Sequence, residues 1–452
     1  MTPFGWLRQE PGFYRRLLSI ALPIAGQSLI SFSLTVMDTF FLGFVGGQEI
    51  AAVTLATAPF FIVTLMLFGF QSGASVLFNQ YWGKGDRAAM SRIVGVTLYA
   101  GLALALAAAL VTFCFPERVI AFFTPDAQLR ALAVAYMRPA AFSYPLNVFP
   151  QVYAAAMRAM GRAKVGLQLA TAAMVLNVGL NAVLIFGLAG MPALGVAGAA
   201  LGTLLSRAAE LVLALLHARF NRTFRLSLRL ALRPGRRLTR DFFRYAGPVV
   251  TNEVLWGAGT ALYPAFFGHM DAAIVAAYSI GTNVQKLFNV LTKGFGDACC
   301  VIIGTEIGAG QHGRVRRHSR AILACSVLAS LLAGGLLALL APGLLSLFHI
   351  DAATRTVARV LLGMLILRLP LESFNYAAII GLMRAGGDTR TAMVIDLTTL
   401  WVVGVGGTFA ACLVPGAPAW LLFLPLLLDE GVKALAAFFR IRGGNWLLDI
   451  TR

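Results

Sequence analysis

Residues 21–92 read ALPIAGQSLISFSLTVMDTFFLGFVGGQEIAAVTLATAPFFIVTLMLFGFQSGASVLFNQYWGKGDRAAMSR, and this stretch decides the fold. Moved forward by 225 positions without a gap, it returns as residues 246–317, AGPVVTNEVLWGAGTALYPAFFGHMDAAIVAAYSIGTNVQKLFNVLTKGFGDACCVIIGTEIGAGQHGRVRR. Pro23 falls on Pro248, Thr35 on Thr260, Gly43 on Gly268, and Ala51-Ala52 on Ala276-Ala277. Gly69-Phe70 falls on Gly294-Phe295, Gly83 on Gly308, Gly85 on Gly310, and Arg92 on Arg317. A second echo, offset by 226, sets Met157-Arg158-Ala159 on Met383-Arg384-Ala385 and Gly161 on Gly387. Helices, turns and basic flanks matched at one spacing make the chain two copies of a unit of about 225 residues. Repeated transmembrane halves are a common construction of secondary transporters.

Composition sets the solvent. Hydrophobic residues make up 59% of 452 and charged residues 12%, against about 45–50% and about 25% in soluble domains. The chain is therefore expected to be a multi-pass protein of the lipid bilayer. A net charge of +18 raises the question of nucleic acid. The basic residues are spread thinly over short loops, so they read as a topology signal, and no nucleic-acid partner is expected. Cys114, Cys299, Cys300, Cys325 and Cys412 all lie in apolar segments without a spaced framework and read as small core hydrophobes. Arg8, Arg15 and Arg16 precede an apolar run too long for a signal peptide, which reads as a first span that stays.

Apolar stretches long enough to cross a bilayer (about 20 residues) fall near 16–43, 50–81, 91–115, 131–156, 165–188 and 194–217. The second copy supplies 242–268, 273–305, 318–346, 356–382, 391–413 and 419–439, which makes twelve, six per copy. An even number per copy gives both the same orientation. One set of loops carries Arg8, Arg15, Arg16, Lys84, Arg87, Arg92, Arg158, Arg162 and Lys164, then Arg314, Arg316, Arg317, Arg320, Arg384, Arg390, Arg440, Arg442 and Arg452. The other has Arg118, Arg130, Arg355 and Arg359. Positive-inside bias predicts both termini in the cytoplasm. Between the halves, Phe224, Leu226, Leu228, Leu230 and Leu232 alternate with arginines. That segment reads either as an interfacial strip on anionic headgroups or as a linker whose charge only anchors topology.

Several chemistries are excluded by context. Gly308-Ala-Gly310-Gln-His-Gly313 matches a dinucleotide glycine pattern but follows a membrane helix, with no acidic residue about 20 positions on. There is no Walker A, HExxH or GxSxG sequence, and His217, His269, His312, His318 and His349 never stand at metal-binding spacing. No enzyme activity and no cofactor are expected. Uphill transport would then be driven by an ion gradient.

Ionisable groups at membrane depth are costly and so are functional candidates. The first helix carries Gln27, Ser31, Thr35 and Asp38 within an arc of about 80° at about 100° per residue. A polar arc above Pro23 suits a helix that faces water and bends; the alternative for Asp38 is a packing role beside Ser and Thr. The seventh helix has Asn252, Glu253, Trp256, Thr260 and Tyr263 between Pro248 and Pro264. Glu253 one turn from the Trp256 indole would hold an organic cation by charge and by the π-face. The eighth helix sets Thr282, Lys286, Asn289, Lys293 and Asp297 on one face, with Lys293 and Asp297 spaced to pair. Lys286 is too near mid-span to snorkel easily. Glu372 follows Arg368 by one turn. Arg207 with Glu210, and Asp429 with Lys433, read as local ion pairs, and Asp396 as an end-cap.

The segments VMDTFFLGFVGGQEIAAV, NVGLNAVLIFG, GVAGAALGT, PVVTNEVLWG and LMRAGGDTRTA resemble prokaryotic members of the multidrug and toxic compound extrusion (MATE) family, in order along nearly the whole chain. The resemblance implies an all-α fold of twelve transmembrane helices in two parallel six-helix lobes, related by a pseudo-twofold axis along the membrane normal. It implies alternation between outward-open and inward-open forms, with protons or sodium exchanged for organic compounds. By position, Asp38 resembles the first-helix acid of the N-lobe cation or proton site, where sodium, if it is the coupling ion, would bind. Asn177 resembles the fifth-helix Asn and Thr203 the sixth-helix Thr of that site. Asn181 departs from the Asp of archaeal members, which leaves Asp38 as the lone acid there. Glu253 resembles the seventh-helix Glu of many members, and Glu372 lies within one position of the tenth-helix acid of the sodium-coupled branch.

The expectation is a secondary antiporter of the cell (inner) membrane that exports small amphipathic, chiefly cationic compounds. Asp38, Asn177, Asn181, Thr203 and Glu253 would couple the ion. Gln27, Ser31, Thr35, Trp256, Thr260, Tyr263, Lys286, Asn289, Lys293, Asp297 and Glu372 would line the substrate cavity, and Pro23 and Pro248 would bend their helices. The expected division is an N-lobe over 1–218, a cytoplasmic linker over 219–241 and a C-lobe over 242–452, in a monomer. The alternative is a lipid or lipid-linked oligosaccharide flippase of the same superfamily, whose pyrophosphate would call on Lys286, Lys293, Arg138 and Arg368.

Overall fold

The computed structural model describes residues 9–346, 348 and 350–451, so Arg8, His349 and Arg452 lie outside the described residues. Among the described residues twelve long helical rods follow one another. They are α1 (Phe13–Gly43), α2 (Gly47–Lys84), α3 (Arg87–Cys114), α4 (Ala127–Ala141, resumed after Phe142 as Ser143–Ala159), α5 (Lys164–Phe186) and α6 (Gly195–Phe220). The second six are α7 (Arg236–Gly268), α8 (Ala272–Gly308), α9 (His312–Ser346), α10 (Ala352–Asn375, running into a π-helix over Tyr376–Arg384), α11 (Thr389–Thr398, π-helical over Thr399–Val405, then Gly406–Cys412) and α12 (Ala419–Arg442). The expected order of spans is therefore present. Gly387 and Leu447 form an isolated antiparallel bridge.

Eight rods are long and apolar enough to cross a membrane by themselves. The other four differ for physical reasons. α4 is divided at Phe142, and α7, α10 and α12 hold buried charged groups such as Glu253, Arg384, Asp429 and Lys433. Large apolar side chains stand exposed along the rods, Leu110 at 63% and Leu332 at 69% among them, as lipid rather than water requires. Four of the few acids outside the spans start helices. Asp86, Asp126, Asp271 and Asp351 each accept a hydrogen bond from a backbone N–H of the following first turn, which satisfies donors the helix leaves open.

The chain forms two compact units. One comprises residues 1–25, 75–85 and 251–452, the other 26–74 and 86–250. The division cuts α1 two residues after Pro23 and α7 two residues after Pro248, at matching places in the repeat. Each proline removes one intrahelical hydrogen bond.

In the first unit the repeat is visible as a contact. A Cβ built at Gly83 would collide with the carbonyl oxygen of Thr305, and one built at Gly308 with that of Gln80. Thr305 is the repeat counterpart of Gln80, as Gly308 is of Gly83. The ends of α2 and α8 thus cross backbone to backbone, and only glycine fits at either crossing point. Gln80 is fully buried; its amide donates to the carbonyls of Ala385 (2.8 Å) and Leu448 (3.1 Å) and its oxygen accepts from the N–H of Ile450 (2.9 Å). The segment after α12 is held down in this way. The start of α1 is anchored by Phe13 stacked on His318 at 4.3 Å, with the His318 Nδ1 at 2.7 Å from Glu306. An apolar core of Tyr263, Phe267, Leu361, Leu365, Leu400 and Phe423 fills the other end.

In the second unit, Gly69 and Gly73 of α2 meet the Cα atoms of Val250 and Ala246 on α7. Smaller apolar clusters surround Ala52, Ile120 and Met137, and Leu42, Ile185 and Val196. Between α6 and α7 the chain forms one helical turn, Leu228–Leu232, whose Ala231 carbonyl sits on Gly95 of α3. α7 begins at Arg236, inside the segment read from sequence as linker.

Gly83→Val or Gly308→Val is expected to destabilise the protein by about 1–3 kcal/mol or more through overpacking. The loss should be read as a fall in Tm of the detergent-solubilised protein. Gly313→Ala, where a Cβ would meet nothing within 4 Å, is the control and should leave Tm unchanged. A Tm unmoved by both valine variants would contradict the α2–α8 crossing.

Candidate functional site

The polar stripe of α1 is satisfied largely by its own backbone. Ser31 donates to the carbonyl of Gln27 (3.0 Å), Thr35 to that of Ser31 (3.3 Å) and Thr39 to that of Thr35 (3.0 Å). Ser31 and Thr35 remain exposed, and Gln27 is half-buried. Asp38, also half-buried, ends the stripe differently, because its partner comes from another helix. Asn181 of α5 donates from Nδ2 to Asp38 Oδ1 at 2.6 Å.

Behind Asp38 runs a chain of amides. Asn181 Nδ2 also donates to Asn177 Oδ1 at 3.0 Å, one turn back on α5, and Asn177 Nδ2 donates to Thr203 Oγ1 on α6 at 3.5 Å. Both asparagines are buried, at 0% and 1% exposure, so their direction is fixed by packing. Gly202 makes this possible, since a Cβ there would collide with Asn181 Oδ1. That oxygen is buried and accepts no hydrogen bond. Tyr136 of α4 lies beside Thr203, and Arg207, one turn beyond Thr203, pairs with Glu210 at 2.6 Å while its charge acts on Asp38. Four sequence-derived residues, Asp38, Asn177, Asn181 and Thr203, therefore meet. An anionic oxygen beside an amide oxygen short of a donor is an arrangement that can take a proton or a small cation.

Glu253 lies elsewhere, in the unit of residues 251–452, and differently from the sequence expectation. It is buried and paired with Arg384 at 3.0 Å, whereas Trp256 one turn on is 38% exposed. The carboxylate is neutralised by a guanidinium instead of facing outward beside an indole. Arg384, read from sequence as a loop charge, is 2% exposed and lies in the π-helical end of α10. Burial of the one required burial of the other. The repeat offered the missed signal. Arg158, the counterpart of Arg384, likewise reaches the first helix of its half, donating to Gln27 Oε1 at 3.4 Å.

Asp396 is no end-cap. It accepts from Lys433 Nζ at 2.9 Å and from Asn252 Nδ2 at 2.9 Å. Lys433 also approaches Asp429 and Glu430, each at 3.5 Å. The i,i+4 pair Asp429–Lys433 and the pair Arg207–Glu210 read from sequence are thus present. Arg368 pairs with Glu430 at 3.1 Å. Glu372 is held by amides, accepting from Gln285 at 2.6 Å and Asn289 at 2.7 Å. Tyr263 is 4% exposed in the core and Thr260 donates to the carbonyl of Trp256 at 3.0 Å. Lys286 and Lys293 are exposed and make no salt bridge among the described residues, though the Lys293 charge acts on Glu253; Asp297 is half-buried. An apolar pocket lined by Phe60, Leu104, Val111 and Tyr144 contains none of the sequence-derived site residues.

The comparisons with known proteins bear on the family and the fold. The sequence pattern described as MatE matches residues 23–183 and again 248–409, two copies whose starts are set apart by the repeat spacing. Twelve long helices in this order, eight of them long and apolar enough to cross a membrane among the described residues, define a multi-pass membrane protein. The chain belongs to the MatE family of multidrug efflux transporters. It is 26% identical over 400 residues to the probable multidrug resistance protein NorM of Chromobacterium violaceum, covering 87% of this chain and 84% of that one. It is 23% identical over 410 residues to the probable multidrug resistance protein YoeA of Bacillus subtilis, covering 89% and 88%. A solved structure described as the outward-facing conformation of a multidrug resistance MATE family transporter superposes with a TM-score of 0.87 at 18% identity, over 99% of both chains. That likeness establishes the fold. Members of the family are transporters, not enzymes.

Arg384→Gln should destabilise the protein by about 3–5 kcal/mol, because it leaves Glu253 buried without its countercharge. The double variant Glu253→Gln/Arg384→Gln should recover most of that loss. Denaturation of the purified variants measures both, and equal losses in single and double variants would show that the pair is not the cause.

Proposed function

We propose that this chain is a secondary antiporter of the cell membrane, exporting small amphipathic organic cations in exchange for protons or sodium by alternating access. The observation that carries the reading is the Asp38–Asn181–Asn177–Thr203 chain, which holds one ionisable oxygen half-buried in an apolar helix bundle. An ion bound at Asp38 lowers the cost of the buried charge, and a cationic substrate relieves the same cost. The two therefore compete, and each can bias the helix that carries them toward one access state. Pro23 and Pro248 are the positions proposed to let α1 and α7 bend. We assign residues 1–218 and 242–452 to the two lobes, with 219–241 as cytoplasmic linker, both termini in the cytoplasm and the monomer as the working unit. The names of the two relatives support export of drug-like compounds, since both are described as probable multidrug resistance proteins. The flippase alternative draws less support, because Arg368, one of the cations it needs, is committed to Glu430.

Asp38→Asn is expected to abolish gradient-driven efflux of cationic dyes from proteoliposomes while leaving folded yield unchanged. Imposing proton and sodium gradients separately identifies the coupling ion. Efflux by Asp38→Asn at the wild-type rate under both gradients would remove Asp38 from the coupling mechanism.

A further inference from the structure

Resting on the reading of the chain as an ion-coupled exporter, we propose that it carries a transported proton separate from the ion at Asp38, on Asp429 of α12, within a charge cluster built by α10, α11 and α12. Three carboxylates, Asp396, Asp429 and Glu430, surround the single ammonium of Lys433 at 2.9, 3.5 and 3.5 Å. One further cation, Arg368, joins them through Glu430 at 3.1 Å. Glu372 adds a fourth carboxylate whose partners are the neutral amides of Gln285 and Asn289. Glu253 and Arg384 balance each other outside this count. Four anions against two cations leave a negative excess in a place where unpaired charge is strongly unfavourable.

A proton relieves that excess better than a metal cation. The point between the three carboxylates, where a sodium ion would gather oxygens, is already filled by the Lys433 ammonium. A proton needs no volume of its own. Its position follows from the hydrogen bonds. Both oxygens of Asp396 are engaged, one by Lys433 and one by Asn252. Those of Glu430 take Arg368 (3.1 Å) and Asn375 (2.7 Å), and those of Glu372 take Asn289 and Gln285. Asp429 differs: it is 2% exposed, its Oδ2 has only the long contact to Lys433, and its Oδ1 is buried with no donor. The Thr399 hydroxyl beside it donates to the carbonyls of Ile395 and Asp396. Nearby, the side-chain oxygens of Asn252 and Asn375 are also buried without a donor. The Arg368 Nε–H is itself buried without an acceptor, so the shortage of hydrogen is local to Asp429 and the two amide oxygens; one proton on Asp429 supplies a hydrogen there and offsets the cluster's negative excess.

The groups that act on Asp429 are Tyr263 from α7, Arg368 from α10, Thr399 from α11, and Glu430 and Lys433 from its own helix. Asp396 of α11 and Glu372 of α10 reach it through Lys433 and Arg368. The Tyr263 hydroxyl and the Asp429 carboxyl group both pack against Gly404 of α11, where an added Cβ would collide with the hydroxyl. Gly404 belongs to the π-helical segment Thr399–Val405, a rare geometry frequent at functional sites. In the step itself, a proton from water forms the O–H bond on Asp429 Oδ1 and the cluster's charge rises by one. The same bond breaks when the proton is returned to water on the other side.

The test is infrared difference spectroscopy of the full chain in lipid nanodiscs between mildly acidic and alkaline pH, together with the count of protons moved per dye in proteoliposomes. The wild type should show a titrating protonated-carboxyl band that persists in Asp38→Asn. Asp429→Asn should lose that band and move one proton fewer per dye. Asp429→Glu, which keeps an ionisable group if the amide variant proves unstable, should shift the band. A band unchanged in both Asp429 variants, an unchanged proton count, or a band abolished by sodium at constant pH in the wild type would each overturn the proposal. Normal efflux by Asp38→Asn would instead sink the Asp38 reading and leave the Asp429 band untouched.

Discussion

Charge in a hydrocarbon layer must be neutralised or surrounded by donors, and this constraint organises the interior of both units. Arg384 is buried because Glu253 is buried, and Lys433 because three carboxylates converge on it. Asp38 follows another solution: the neutral amide of Asn181 supplies its donor, and no salt bridge reaches it among the described residues. The difference matters for transport. A carboxylate locked to a guanidinium has little reason to release it, whereas one held by an amide can exchange that weak stabilisation for an incoming ion.

The duplicated sequence has kept its geometry and lost its chemical symmetry. Gly83 and Gly308 occupy equivalent places and meet equivalent carbonyls, so the glycines are fixed by a backbone crossing that no side chain could share. Arg158 and Arg384 also occupy equivalent places, yet one meets a neutral Gln27 and the other an anionic Glu253. Likewise Asp38 has Tyr263 as its counterpart, a residue packed into the core. Packing at the crossing admits one residue type, while a polar partner can be replaced in company with its mate. The duplication therefore preserved the scaffold and freed the two halves to specialise.

Two π-helical stretches, Tyr376–Arg384 and Thr399–Val405, adjoin the charged groups of α10 and α11. Each widens the helix by changing its hydrogen-bond ladder, which re-aims side chains that a regular helix would turn away. Arg384 closes the first stretch and reaches Glu253; Gly404 lies in the second, under Tyr263 and Asp429. Local departures from regular helix thus coincide with the places where charge had to be brought together.

The amino-acid pattern alone determined the solvent, the number and order of the spans, the duplication and the acid on the first helix. These are properties of period, length and composition, and they survive without knowledge of neighbours. The asparagines at 177 and 181 were legible only through family resemblance, since a polar residue in an apolar run does not say what it faces. The partner of Glu253, the convergence on Lys433 and the orphan oxygen of Asp429 were decided by tertiary structure. The Glu253–Arg384 and Asp396–Lys433 contacts join residues 131 and 37 positions apart, and hydrophobic periodicity carries no information about which buried charges meet. Arg384 was misread for that reason: at the end of an apolar run a loop arginine and a buried one look alike, and only the carboxylate across from it tells them apart.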